Sequence, residues 1–306
     1  MKATFAIFAV LLFTVAYCGS HTDGDDYYWL PDKQSDVKPV VVFHGIDDDC
    51  HGGLQTGLVD QLGQELSTYV RCVEYAKDIK TWTVNILEQS KNACELVKGF
   101  SEFNNGYSVV GISAGSIISR YMVEACDSQG QIEHFVTLGG PHMGVTQIPD
   151  CHTGIICSIG NYLVDKLAYT SLLQKLLGPA GYYRDVAEYQ KYLDHSILLA
   201  DLNNERATKN QTYKERVIAL KKMTLIMFLK DEIVYPKESE WFGTFAADNK
   251  TIIPLEKTDF YTQDWLGIRT LEEAGKLFKF SINNRHVHWS SEEIHTMVVP
   301  GLKDNQ

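Results

Sequence analysis

The feature that most constrains this 306-residue sequence is a glycine-flanked turn around Ser113. A short strand-like run at residues 107–110 leads into G-x-S-x-G at residues 111–115, and apolar residues then recur at helical spacing over residues 117–125. This order of strand, pentapeptide and helix is typical of a nucleophile elbow, in which a sharp turn exposes the serine above a sheet edge. The following helix also points its N-terminal N–H groups at any oxyanion formed there. The sequence therefore predicts an α/β fold with Ser113 as a nucleophile.

A serine nucleophile needs a histidine base, which follows later in the chain in elbow-containing hydrolases. His286 and His288 both lie in the loop after the apolar run 277–281, where a catalytic histidine would reach the carboxyl edge of a parallel sheet. Position alone barely separates these two residues. His295 falls in a predicted helix that begins with a capping box, so we expect it on the surface. A His-x-His pair could also bind a metal, but no third ligand accompanies it at a suitable spacing, and we predict neither a metal nor a cofactor.

The acid that orients the histidine is expected at the end of another buried strand. Asp231 follows residues 223–229, a run that is apolar on both faces, as in a central strand of a parallel sheet. A carboxylate there can favour the histidine tautomer that accepts the serine proton. Asp201 and Asp264 are alternatives in chain order, although both fall in helix or loop contexts typical of solvated or capping residues.

Backbone N–H groups for an oxyanion hole are expected at two places. One N–H normally belongs to the residue after the nucleophile, here Ala114, and the other to a loop after an early strand. Residues 40–44 form such a strand and end at His44-Gly45, so the second predicted donor is the N–H of Ile46. The alternative is that His44-Gly45 is only a turn at a strand end.

Predicted strands and helices alternate along the first half of the chain, which indicates a doubly wound parallel sheet. From residue 141 to about residue 222 the pattern is helical, and the sheet resumes at residue 223. Such an insertion is a usual place for a lid or substrate groove, and we expect it to build an apolar groove leading to Ser113. The predicted elements are strands 40–44, 70–74, 107–111 and 133–138 and helices 57–68, 82–99, 115–126, 159–177 and 182–193. The candidate groove residues are Ile155, Ile156, Ile159, Leu163, Leu167, Leu172, Leu173 and Leu176.

A set of segments outside the elbow resembles one protein family, and several of them are not general hydrolase motifs. They spread over residues 38–302, nearly the whole chain after the N-terminal segment. The matching segments are V-V-F-H-G at 41–45, L-G-G-P-H-M-G-V at 138–145, H-S-I-L-L-A-D-L-N-N-E-R at 195–206, F-L-K-D-E-I-V at 228–234, E-S-E-W-F-G at 238–243 and Y-T-Q-D-W-L-G at 261–267. On these segments the sequence resembles the palmitoyl-protein thioesterases of the lysosomal type 1 group.

The resemblance implies an α/β-hydrolase fold with a mostly parallel central sheet and a helical insertion. It also places the family's catalytic residues at Ser113, Asp231 and His286. His286 matches and His288 does not, because only His286 has the expected spacing to residues 298–300.

The sequence departs from the family pattern at two places near these residues. Ala114 stands where the family usually has glutamine, and only a backbone N–H is required there. Asn284-Arg285 stands where the family usually has Gly-Asp, which changes the charge next to the histidine.

The N-terminus is typical of a secretory signal peptide. A lysine precedes the apolar run 3–17 and small residues follow it, so cleavage is expected after Cys18 or Ser20. We assign residues 1–20 to the signal peptide and residues 21–306 to one domain. The apolar run is too short, and too promptly followed by acidic residues, to favour a retained membrane helix. No second apolar run approaches the length of a membrane span.

Cleavage would leave six cysteines, an even number that favours disulfides in an exported chain. Six cysteines allow 15 pairings, and the residues alone do not choose among them. The resemblance implies the first two of the following pairs and leaves the third by elimination: Cys94–Cys126, Cys151–Cys157 and Cys50–Cys72. Export would also make Asn210 and Asn249 glycosylation candidates, since each begins an N-x-T sequon.

The resemblance implies an enzyme that removes long-chain acyl groups, such as palmitoyl, from cysteines of lipid-modified proteins. Its partners would be S-acylated proteins or peptides and long-chain acyl thioesters, in the lysosome or after secretion. The formal net charge of −11 argues against a nucleic-acid partner. One alternative is a secreted oxyester lipase or esterase, because the same triad hydrolyses both bonds. Another is an inactive lipid-binding protein, against which the presence of all three triad residues argues.

Overall fold

The computed structural model describes residues 19–33, 35–128, 130–147 and 167–304. The predicted signal peptide lies outside these residues except for Gly19 and Ser20, which begin the first strand. Cys151 and Cys157 also lie outside them, as do four of the candidate groove residues, Ile155, Ile156, Ile159 and Leu163.

Eight strands form one twisted sheet in the order β1-β2-β4-β3-β5-β6-β7-β10. The six strands from β4 to β10 in this order are parallel, while β1 and β2 add an antiparallel edge. A separate antiparallel pair, β8 and β9, lies outside this sheet. The strands are β1 (Gly19–Asp23), β2 (Asp26–Leu30), β3 (Val40–Phe43), β4 (Val70–Cys72), β5 (Tyr107–Ile112), β6 (Ile132–Leu138), β7 (Lys222–Phe228), β8 (Thr244–Phe245), β9 (Ile252–Ile253) and β10 (Leu277–Ile282).

Helices cover both faces of the sheet, which explains why β3, β5 and β7 are buried along their whole length. The α-helices are α1 (Gly53–Leu66), α2 (Lys80–Thr83), α3 (Ile86–Lys98), α4 (Gly115–Glu124), α5 (Ser171–Leu176), α6 (Tyr189–His195), α7 (Leu199–Leu202), α8 (Gln211–Ala219), α9 (Asp259–Thr262), α10 (Ile268–Glu273) and α11 (Ser291–Glu293). Short 3-10 helices span Ser101–Phe103, Pro179–Tyr182, Lys237–Trp241, Leu255–Lys257 and Val299–Leu302, and a π-helical turn spans Ile294–Val298.

Two apolar clusters pack on opposite faces of the sheet, as the alternation along β3 shows. Val41 and Phe43 face the cluster that includes residues of α3 and α4. Val40 and Val42 face the cluster formed with α1 and the C-terminal residues 294–302. This arrangement confirms the predicted α/β-hydrolase fold with its mostly parallel sheet.

Most predicted elements match the structure within a few residues, but two predicted helices are wrong in part. The predicted helix 182–193 begins only at Tyr189, because Asp185 Oδ1 accepts the N–H groups of Ala187 and Glu188 and holds the preceding residues in a turn. The other is the predicted helix 82–99. It is divided into α2 and α3, because the side chain of Asn85 accepts a hydrogen bond from the Glu88 N–H (2.9 Å) and caps α3. The short strands β1 and β2 were not predicted. Ser290 and Glu293 form the predicted capping box, and His295 is exposed beside Glu65.

Between β6 and β7 the described chain forms only helical segments, from α5 to α8, and one isolated bridge between Val145 and Tyr183. Two disulfides lie within the described residues, Cys50–Cys72 and Cys94–Cys126, and the second ties α3 to the end of α4. Asn249 is exposed in a turn, whereas Asn210 is half-buried at the start of α8. None of the helices in the described part of the chain is long and apolar enough to cross a membrane.

Candidate active site

The turn after β5 is as sharp as the elbow pattern predicts. Ser113 has a φ of +51°, a left-handed conformation that is strained for a residue with a side chain. The flanking glycines serve a different purpose, close approach of the backbone. A Cβ on Gly111 would lie 2.5 Å from Ser116 Cα, and one on Gly115 would lie 2.2 Å from the carbonyl oxygen of His44. The glycines therefore let α4 pack against β3 and β5 while Ser113 carries the turn.

The structure brings three predicted residues together at the carboxyl edge of the sheet. Ser113 follows β5, Asp231 follows β7 and His286 follows β10, although these residues are far apart in the sequence. The Ser113 hydroxyl lies 2.8 Å from His286 Nε2 and can donate to it. The other ring nitrogen, Nδ1, is hydrogen-bonded to Asp231 Oδ2. This geometry suits proton transfer from the serine to the histidine.

Asp231 is held in one orientation by backbone and side-chain contacts. Its side chain is fully buried, and Oδ1 accepts hydrogen bonds from the N–H groups of Ile233 (2.7 Å) and Val234 (2.9 Å). Burial opposes ionisation of this carboxyl, but the hydrogen bond and charge of His286 outweigh it and leave its pKa below the usual value. Asp231 is therefore the ionised partner that histidine activation requires.

Glu240 lies behind Asp231 and was not among the predicted site residues. It is completely buried, its Oε2 accepts the Phe228 N–H (2.9 Å), and its Oε1 has no hydrogen-bond partner of good geometry among the described residues. Burial and the neighbouring Asp231 charge raise its pKa well above the usual range. Glu240 is therefore the protonated member of the carboxyl pair, able to donate a hydrogen bond to Asp231. Its sequence signal is weak, an acid among apolar residues in segment 238–243.

We expect Glu240→Gln to keep most of the activity, since the amide can replace the protonated carboxyl as a hydrogen-bond donor. We expect Glu240→Leu, which has no donor, to lower kcat by tenfold to a hundredfold. That loss corresponds to a hydrogen bond to a charged group, roughly 1.5–3 kcal/mol. Steady-state kinetics of both variants measure the change in kcat, and thermal unfolding verifies that both variants are folded. Equal activity of Glu240→Leu and the parent would contradict the role.

The carboxyl pair of Asp231 and Glu240 also predicts how the free energy of unfolding depends on pH. A carboxyl whose pKa is raised by folding contributes stability that is complete below the unfolded pKa, about 4.3, and lost as pH rises through the folded pKa. The parent should therefore lose free energy of unfolding towards alkaline pH relative to Glu240→Gln, which has no proton to lose. Parallel pH-dependent curves for the two proteins would contradict this assignment.

The other candidates lie in different surroundings. His288 is exposed, and its Nδ1 contacts the carbonyl oxygen of His286 (2.7 Å) rather than Ser113. Asp201 accepts a hydrogen bond from Tyr213 (3.2 Å) on the insertion. Asp264 is bonded to Lys214 (3.0 Å) and neighbouring residues of α10. None of these three residues reaches Ser113.

The two predicted oxyanion-hole donors are both available. Neither the Ile46 N–H nor the Ala114 N–H donates a hydrogen bond to another described residue. Gly45 lies against the nucleophile, since a Cβ built on it would be 3.1 Å from Ser113 Cβ. Ile46 and Ala114 also line the same cavity as Ser113. The arrangement leaves two N–H groups free for an oxyanion beside the serine.

An apolar cavity of about 410 Å³ opens at Ser113. Residues of α2, the insertion and the loop after β7 line it, among them Trp82, Leu173, Tyr182 and Val234. Leu173 is thus a groove residue, as expected from the sequence. The expectation was wrong for Leu167, Leu172 and Leu176, which are 45%, 65% and 50% exposed and do not line the cavity, because they lie on the outer surface of the insertion.

Asp231, Glu240 and His286 also have the spacing of a metal site, with one potential ligand atom from each within 4.8 Å of the others. The aspartate and histidine already bond to each other, and the remaining histidine nitrogen faces Ser113. This cluster therefore suits proton transfer better than cation binding.

Comparison with known proteins identifies relatives over most of the chain. The family described as palmitoyl protein thioesterase matches residues 39–286. Palmitoyl-protein thioesterase 1 of Caenorhabditis elegans is 34% identical over 258 residues, which are 81% of this chain and 86% of that protein. Palmitoyl-protein thioesterase 3 of Dictyostelium discoideum is 30% identical over 82% of this chain and 86% of its own length. Among solved structures, a protein of Agrobacterium vitis S4 classed as a hydrolase superposes with a TM-score of 0.51 over 94% of this chain and 100% of its own. The two sequences are only 11% identical, so this similarity reflects the shared fold.

Proposed function

Because the chain belongs to the palmitoyl-protein thioesterase family, a family of thioester hydrolases, we propose that it removes long-chain acyl groups from cysteines of proteins by way of Ser113, His286 and Asp231. The observation that carries the proposal is the apolar cavity, about 410 Å³, which opens at the Ser113 side chain. Its volume lies within the range of small-molecule sites. An acyl chain in this cavity would have its carbonyl carbon at the nucleophile.

The reaction has two acyl-transfer steps. Ser113 Oγ attacks the thioester carbonyl carbon while His286 Nε2 accepts the hydroxyl proton, and the Ile46 and Ala114 N–H groups stabilise the oxyanion. The carbon–sulfur bond then breaks, and the proton passes from the imidazole to the departing thiolate. Water, deprotonated by the same nitrogen, then attacks the acyl-serine. The ester bond breaks, the imidazole returns the proton to Ser113 Oγ, and the fatty acid is released. Asp231 stabilises the imidazolium formed in each step, and Glu240 keeps Asp231 in place.

Several relatives are named lysosomal thioesterases, which suggests where the enzyme acts. The lysosomal thioesterase PPT2-B of Xenopus laevis is 23% identical over 86% of this chain and 91% of its own length. Together with the apolar N-terminal run and the two disulfides, this similarity supports passage through the secretory pathway to the lysosome. The acylated proteins it meets there would be its substrates.

A pair of matched substrates tests the proposed reaction. One peptide carries an acyl group on cysteine and the other carries the same acyl group on serine at the same position. We expect the thioester to be cleaved with the higher kcat/KM after correction for the uncatalysed rates, and Ser113→Ala to cleave neither. Faster cleavage of the oxyester would favour a lipase or esterase and contradict the proposal.

We expect kcat/KM to rise steeply with acyl length and then flatten at about fourteen to sixteen carbons. Each buried CH₂ contributes about 0.8 kcal/mol, so extension from eight to sixteen carbons could add roughly 6 kcal/mol if burial were complete. A series of thioesters below their micelle concentrations measures the profile. A flat profile, or a preference for acetyl groups, would contradict an acyl cavity.

A variant that shortens the cavity provides the matched control for the dependence of kcat/KM on acyl length. Ala180 lines the cavity and is 7% exposed, so Ala180→Phe would fill part of the space with a ring. We expect this variant to lose activity on sixteen-carbon chains and to keep it on chains of eight or fewer carbons. The short substrate verifies that the variant is folded, and equal losses on both substrates would contradict the assignment.

A further inference from the structure

A second depression lies next to the acyl cavity. Its volume is about 460 Å³, and it is lined by Lys230, Glu232, Ile233, Arg285, His286 and His288. Ile233 lines both depressions, which therefore meet at this residue. We call the second depression the basic pocket.

The position of the basic pocket follows from the reaction geometry. The acyl chain occupies the apolar cavity, so the sulfur must lie on the side of the imidazole that returns its proton. His286 forms a wall of the basic pocket. The part of the substrate that carries the sulfur would therefore pass over Ile233 into this pocket.

The charges of the basic pocket are unusual for this acidic chain. All seven arginines of the sequence lie in the described part, and Arg285 is the one that has no ion-pair partner there. Lys230 is also exposed and has no ion-pair partner among the described residues. Its backbone N–H donates a hydrogen bond to the Asn284 carbonyl oxygen (3.0 Å), so Lys230 and Arg285 lie on adjacent segments. The pocket thus offers two cationic side chains and one carboxylate, Glu232, in a protein of net charge −11.

We propose that the basic pocket binds the leaving-group side of the substrate and selects acyl-cysteines that lie in acidic peptide segments. Arg285 can hold a carboxylate through two parallel N–H donors, and Lys230 adds a second point of positive charge. The inference rests on the proposed function, because it names the substrate class of the same site. Exposed charge pairs mainly accelerate association, so selection should be modest and should weaken in salt.

The test uses three cysteinyl peptides with the same acyl group, in which the flanking residues are Asp, Asn or Lys. At neutral pH and low salt we expect kcat/KM for the Asp peptide to exceed that for the Asn peptide about tenfold, and the Lys peptide to be the poorest. The double variant Lys230→Gln with Arg285→Gln should bring the Asp/Asn ratio close to one. Charge reversal at both positions to Glu should favour the Lys peptide.

Lys250→Gln is the matched control, because Lys250 is an exposed lysine in the turn between β8 and β9 and lines neither the basic pocket nor the acyl cavity. It should leave the Asp/Asn ratio at the parent value. An equal ratio for the parent and the double variant would overturn the inference, as would a parent preference for the Lys peptide. A thioester of a phosphate-bearing thiol is run beside the peptides, and its faster turnover would overturn the assignment to acidic peptides. Failure of the parent to cleave any peptide would instead contradict the proposed function.

Discussion

Replacing Ser113 with alanine should lower kcat by about a millionfold, the effect measured when a catalytic serine is removed from a serine hydrolase. The reason is that the Ser113 hydroxyl is the group 2.8 Å from His286 Nε2, and alanine leaves no oxygen to attack the carbonyl. The measurement is kcat on a long-chain acyl thioester. The fold should persist, because the strained φ of +51° belongs to a turn that alanine can also adopt.

Ser116→Ala is the matched control for this experiment. Ser116 is a buried serine on α4, three residues from Ser113, and its hydroxyl has no hydrogen-bond partner among the described residues. Its removal should change kcat little. Thermal unfolding of the two variants verifies that both are folded. Turnover by Ser113→Ala close to that of the parent would show that Ser113 is not the nucleophile.

The second large effect is expected at His286, where substitution by alanine should lower kcat by several orders of magnitude. The imidazole accepts the serine proton and returns it to the leaving group, and the residues of a triad act as one unit. Capture of the acyl-enzyme with a long-chain thioester should also fail in this variant. Both readouts are compared at several pH values, since hydroxide can replace a missing base at alkaline pH.

His288 provides the control two residues away. It is exposed and contacts the His286 carbonyl oxygen, so His288→Ala should change kcat on a neutral thioester far less than His286→Ala does. A severe loss in His288→Ala combined with a mild one in His286→Ala would mean that the alternative histidine is the base.

Local patterns in the sequence predicted the elements that carry the site. The apolar runs before Ser113 and Asp231 predict buried strands, because parallel strands covered on both faces need apolar residues at every position. The division of the predicted helix at Asn85 was missed, although Asn85 and Glu88 have the spacing of a local cap. The edge strands β1 and β2 gave no such signal, because their pairing depends on β4, more than forty residues away.

The sequence by itself determined the fold class, the family and the elbow, because these depend on short-range patterns of glycines, apolar residues and family segments. The family segments also favoured His286 over His288, but only the tertiary structure brings His286 to Ser113, since these two residues are separated by 173 positions and meet through the order of the strands. It also placed Glu240 behind Asp231 and left Arg285, beside His286, without an ion-pair partner in the described part of the chain. Burial and charge pairing are properties of the packed chain, and no local pattern encodes which distant groups will surround a side chain.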